Sequence, residues 1–180
     1  IGVIDSGIME GNKYISSAII SENSKSYIRG DVSTADYVRG GGHGTRVAGA
    51  ILYPNGISNV SNPYQLPCYV RNLRVLNQDN KLTDKLPAQL MQEIISDNED
   101  CRVFNLSVNS CLPSRIKHMS SWAATIDTLI NEKNILFLIS AGNISISDAR
   151  GFGISHFIEN GKNYPDYLNE LYCRIANPAQ

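Results

Sequence analysis

The chain is 180 residues long, with 42% hydrophobic residues and 16 basic against 17 acidic side chains, a formal net charge of −1. That length suffices for one sizeable core, with roughly 70% of the unfolded chain's surface buried, and the composition excludes a disordered polyelectrolyte. A balanced charge gives nucleic acid no natural footprint, and the longest apolar run, Ile135-Leu136-Phe137-Leu138-Ile139, falls far short of the ~20 residues that span a bilayer.

In chain order, Ile1 to Ile4 reads as a buried strand. Neither a basic start nor an apolar signal core precedes it, so the chain is expected to begin inside a longer protein, and its compartment stays open. Residues 21–42 and 54–67 are irregular. Between them Gly40-Gly41-Gly42-His43-Gly44-Thr45-Arg46-Val47-Ala48-Gly49 runs from a glycine-rich loop into a segment with Val47, Ala48, Ile51 and Leu52 on one helical face. A second strand candidate, Cys68 to Leu76, is interrupted by Arg71, Asn72 and Arg74. Helical spacing of Leu86, Leu90 and Ile94, with Met91 and Ile95, marks a helix over Asp84 to Asp97, with Pro87 suiting its first turn. A strand follows from Cys101 to Val108. Ile116, Met119, Ala123, Ile126, Leu129 and Ile130 then place a helix over Arg115 to Lys133, ended by Asn134. A last buried strand covers Ile135 to Ser140. Residues 144–172, with Gly151, Gly153 and Gly161 among polar residues, read as a surface insertion.

Strands alternating with helices of this length imply βαβ units. The expected fold class is α/β: three layers, a mainly parallel sheet with helices on both faces. Four cysteines (Cys68, Cys101, Cys111, Cys173) have irregular spacing and no C-x-x-C pair, which argues against a zinc ribbon or a redox motif and leaves thiols and disulfides both open.

In parallel sheets the chemistry collects beyond the carboxyl ends of the strands. Asp5 follows the first strand in Val3-Ile4-Asp5-Ser6-Gly7; alone it is as well explained by an Asx turn. His43 stands at the start of a helix, a position that a capping or surface residue also fills. Asn143 ends Ser140-Ala141-Gly142-Asn143, where it offers an amide donor or simply forms a turn.

Taken together and in this order, Val-Ile-Asp-Ser-Gly, His-Gly-Thr-x-Val-Ala-Gly and Ser-Ala-Gly-Asn resemble the signatures of the subtilases, the subtilisin-like serine proteases. The resemblance runs from Ile1 to about Asn143, and Ala176-Asn177-Pro178-Ala179 is similar to the segment before the family's next strand. It implies that Asp5 orients His43, that His43 is the general base, that Asn143 donates to the oxyanion, and that Ser107, Val108 and Asn109 bind an extended peptide. The implied reaction is endopeptidase cleavage of a peptide or protein substrate through an acyl-enzyme, with no cofactor required. The family also often binds structural calcium, but Asp31, Asp36, Asp79 and Asp84 are scattered singly and assign no site.

Two departures stand out. Arg46 occupies a position where the family often has a second His, outside the triad. Ser107-Val108-Asn109-Ser110 replaces the usual Ser-Leu-Gly-Gly, so side chains stand where glycine is common, narrowing or blocking the primary specificity pocket.

The family's Gly-Thr-Ser-x-Ala-x-Pro nucleophile turn is absent from the 180 residues; Ser155, in Gly153-Ile154-Ser155-His156, lies too near Asn143 to replace it. The expectation is therefore the N-terminal two thirds of a catalytic domain, inactive alone, with an uncovered sheet edge open to self-association. The alternative is a non-catalytic, peptide-binding or regulatory relative. A nucleotide site lacks G-x-G-x-x-G and a phosphate lysine, and a metal hydrolase built on Asp5 and His43 lacks a third ligand.

Overall fold

In the computed structural model five short apolar or mixed segments form one sheet: β1 (Gly2–Asp5), β2 (Lys25–Ser26), β3 (Arg71–Arg74), β4 (Val103–Leu106) and β5 (Leu136–Ile139). The structure describes every residue except 39–40, 60–62, 83–84, 111–112, 145, 147–152 and 180. Each strand is parallel to its neighbours, in the order β2-β3-β1-β4-β5. All carboxyl ends therefore share one rim. Asp5, Ser107 and Ser140 leave the sheet there, from three adjacent strands.

Helices cover both faces, as the α/β reading requires. α1 (His43–Leu52) places Ala48 and Leu52 against Val3, Ile8 and Val70 on one face. On the other, α2 (Pro87–Asp97) and α3 (Ser121–Lys133) bring Leu90, Ile94, Trp122 and Ile126 onto Ile4, Leu73, Phe104 and Leu106. Alternation along β1 divides the two cores: Val3 points into the first and Ile4 into the second. At the far edge, Leu136 and Leu138 of β5 are about half exposed on the α1 side.

Sequence and structure differ at β2, which lies in a stretch read as irregular, at the start of α3 and within residues 144–172. α3 begins at Ser121 rather than near Arg115, because the Ser120 hydroxyl caps it by accepting from the Ala123 amide at 3.1 Å. Ile116 and Met119, whose spacing extended the helix, are exposed before it. Asn134 ends the helix in the left-handed conformation, as read. Within 144–172 the structure contains a further short helix, α4 (Ile154–Glu159), which buries Phe157. Ser155 and His156 lie on that helix.

The polar residues that made β3 look weak are those that anchor it. Asn72 is fully buried and donates to Glu10 Oε1 at 2.7 Å and the Thr34 carbonyl at 2.9 Å. Arg71 pairs with Asp100 through Nη1 at 2.8 Å. Arg74, 2% exposed, donates to Asp31 Oδ2 and the Ser33 carbonyl, each at 2.8 Å, and lies over the Tyr37 ring. One guanidinium thus pins the 31–37 segment that leads to His43.

The Ser33 amide and the Arg74 guanidinium hold the Asp31 carboxyl below its usual range. A depressed carboxyl stabilises the fold above the ordinary carboxylate range and loses that contribution as pH falls through its folded value. Asp31→Asn should cost about 1–3 kcal/mol at about pH 7, where it deprives a buried guanidinium of its counter-charge. The loss should shrink at about pH 3. Urea unfolding at both values checks this; an equal loss at each would contradict it.

Candidate active site

The site begins with a carboxylate that has no access to water. Asp5 ends β1 and is 0% exposed, so its charge must be satisfied by protein groups. Two do so at Oδ1: the Ser6 amide at 2.7 Å and His43 Nδ1 at 2.8 Å, with Oδ2 also 3.0 Å from Nδ1. The imidazole is about half exposed, its side chain 48% accessible. With Nδ1 donating to the carboxylate, the neutral ring carries its lone pair on Nε2. An imidazole so held has one nitrogen fixed and can take a proton on the other.

Helix α1 sets the position of the imidazole. Its N-cap, Gly42, adopts a left-handed conformation and supplies no side-chain cap. The missing acceptor comes from across the rim, where the buried Ser6 hydroxyl takes the Gly44 amide at 3.0 Å. Thr45 completes the suture by accepting the Met9 amide at 2.9 Å. Three consecutive residues at the start of α1 are therefore bonded to the end of β1 and the loop that follows it. The approach is close enough to require glycine at 44: a Cβ there would stand 2.2 Å from the Gly7 carbonyl oxygen.

Ser6 is a positioning residue that the sequence reading left unassigned, since its hydroxyl holds the start of the helix that carries His43. Its adjacency to Asp5 is the only sequence signal, and it acquires meaning once α1 is placed. Arg74 is a second such residue, since it is in register with Asp5 and anchors the segment before the glycine loop.

The other sequence candidates lie on the same rim. β4 continues into Ser107, Val108 and Asn109. Ser107 donates to Asn105 Oδ1 at 2.8 Å. The Val108 side chain, 6% exposed, turns into the core beneath α2 and α3, so only its backbone faces the rim. Asn143 is exposed beyond β5, after Gly142, whose φ of +98° and contact with Ala176 leave no place for a Cβ. Asp5 and His43 are thus in direct contact, while Ser107, Asn109 and Asn143 share their rim one and two strands away.

Among the calcium candidates, Asp31 is tied to Arg74 and Asp36 is buried with Oδ1 accepting the Val38 amide. Asp84, like Gly40 of the glycine loop, Cys111 and Gly151, lies outside the described residues. Among the described residues no three His, Cys, Asp or Glu side chains converge as a metal site, and no helix is long and apolar enough to cross a membrane.

The sequence profile of the Subtilase family matches residues 1–168. An uncharacterized protein, y4bN, of Sinorhizobium fredii is 35% identical over 100 residues, which is 52% of this chain and 21% of that protein. The chain thus spans about a fifth of that relative's length. Among solved structures, a cold adapted subtilisin-like serine proteinase superposes with a TM-score of 0.55 at 19% identity, covering 79% of this chain and 45% of that one. A lanthipeptide protease gives 0.54 at 21% identity, covering 81% and 41%. The protease domain of PatA gives 0.52 at 17% identity, covering 79% and 49%. At these identities the structures establish the fold, which the chain shares over less than half of each.

The suture predicts an order of effects. Ser6→Ala should lower stability by about 1 kcal/mol, the typical cost of losing a helix cap. Gly44→Ala should cost about 1–3 kcal/mol, because the helix must lift off the loop, and it should also separate His43 from Asp5. Thermal unfolding and the imidazole resonances check both; a Gly44→Ala protein with unchanged stability and His43 signals would contradict the close approach.

Proposed function

The chain belongs to the subtilase family, and on that premise we propose that Asp5, His43 and Asn143 are the orienting acid, general base and oxyanion donor of a serine endopeptidase. The observation that carries this reading is the bond from His43 Nδ1 to a fully buried carboxylate. It leaves Nε2 free to take the proton of an attacking serine hydroxyl and return it to the leaving amine. The imidazolium that forms between these steps is matched by the Asp5 charge. Asn143 carries an amide donor on an exposed turn held by Gly142, and such a donor stabilises the negative oxygen of the tetrahedral intermediate. The backbone of Ser107-Val108-Asn109, continuing β4 past the sheet, offers an extended peptide a strand to pair with. The substrate class is therefore a peptide or protein.

The 180 residues contain no Gly-Thr-Ser-x-Ala-x-Pro turn, so a base stands here without the hydroxyl that it would activate. Purified alone, the chain is expected to hydrolyse no peptide. Hydrolysis that disappears in His43→Ala would overturn that statement. In a hydrolytically active polypeptide carrying these residues, Asn143→Ala should lower kcat ~10²–10³-fold and Asp5→Asn about 10⁴-fold. Unchanged turnover in either variant would remove that residue from its role.

A further inference from the structure

The rim contains a closed circuit of side chain and backbone that bears on which peptide it accepts. Leu106 and Ile139 are in register at the ends of β4 and β5, so the arms that continue them leave the sheet side by side. A third segment ties them together further out. The Ser110 amide donates to the Asn177 carbonyl at 2.8 Å, and the Ala176 amide donates to the Ala141 carbonyl at 2.8 Å. One residue back from each tie, Asn109 Nδ2 donates to Ser140 Oγ at 3.0 Å. Residues 109–110, 176–177 and 140–141 thereby form a ring of three two-residue segments, closed by three hydrogen bonds. A Cβ added at Gly142 would stand 2.5 Å from the Ala176 methyl, so this side of the ring has no space for a side chain at 142. Val108 turns its side chain to the opposite side, into the core. That leaves Asn109 and Ser140 as the two side chains that meet between the arms.

We propose that the Asn109–Ser140 hydrogen bond is a latch that shuts the gap between the two arms, so that the substrate residue preceding the cleaved bond is restricted to glycine, alanine or serine. This rests on the reading that the rim binds a peptide substrate. With these two side chains bonded across the gap, a bulky substrate side chain enters only by opening the latch, and opening it removes the partner of both half-buried groups. A methyl or hydroxymethyl group needs no opening. Asn109 and Ser140 are then specificity-determining residues, acting by exclusion.

The test uses the isotope-labelled 180-residue chain and two probes, the N-acetylated tripeptide amides Ala-Ala-Ala and Ala-Ala-Phe. Binding is read from the amide signals of residues 107–109 and 143. The Phe peptide should bind at least about tenfold more weakly than the Ala peptide. The preference should vanish or reverse in Asn109→Gly, and weaken in Ser140→Ala, which keeps the Asn side chain but removes its acceptor. The two variants are independent, so misfolding of one leaves the other decisive. Equal binding of both peptides by the unmodified chain, or an undiminished preference in both variants, overturns the latch while leaving the peptide-binding rim intact. Failure of either peptide to move these signals in the unmodified chain and in Asn109→Gly overturns the peptide-binding rim itself, and the latch with it.

Discussion

A buried negative charge at the end of β1 is the constraint from which the rest of the site follows. Asp5 is sealed from solvent, and a carboxylate so placed is tolerable only with donors directed at it. The adjacent Ser6 amide supplies one and an imidazole 38 positions away in the chain supplies the other. Bringing that imidazole into range means docking the start of α1 against the loop after β1 with almost no gap. Glycine at 44, the Ser6 hydroxyl on its amide and Thr45 on the Met9 amide are how the chain manages that approach. The same contacts that satisfy the carboxylate therefore aim the imidazole.

A parallel sheet with a polar strand beside its centre would ordinarily be weak. Here β3 carries Asn72 and Arg74 on the face that receives the loops after β1 and before α1, and each side chain ends on groups from those loops. Their burial ties the loops to the sheet, because a buried donor left without a partner costs more than a made hydrogen bond gains. The segments that carry chemistry are thus braced from below by side chains of the sheet, while apolar packing by α2 and α3 stabilises the other face.

Much of this was legible in the sequence, for physical reasons. β1 and β5 lie within apolar runs, and β4 within one broken by Asn105, as suits central parallel strands, although one face of β5 is half exposed at Leu136 and Leu138. The Asp5, His43 and Asn143 motifs stood out only together, through their resemblance to the subtilase signatures, because each alone reads equally as a turn, a cap or a surface residue. β2 was not: two residues, Lys25 and Ser26, have no periodicity, and they become a strand only through pairing with Leu73 and Arg74. The start of α3 was misplaced because apolar spacing at Ile116 and Met119 continued past the point where Ser120 caps the helix. Arg71, Asn72 and Arg74 looked like interruptions because their partners, at 100, 10 and 31, are distant in the chain. The ring through Asn109 and Ser140 likewise joins arms that only the sheet brings together.

The claim on which all of this depends is the tautomer and partner of one imidazole. Nitrogen-15 NMR of the histidine rings, recorded at alkaline pH where imidazole is neutral, reads both at once. The structure predicts that His43 carries its proton on Nδ1, in a hydrogen bond that shifts it downfield and that Asp5→Asn abolishes. A neutral His43 protonated on Nε2, or an Nδ1 proton indifferent to Asp5→Asn, would contradict the arrangement of base and carboxylate described above.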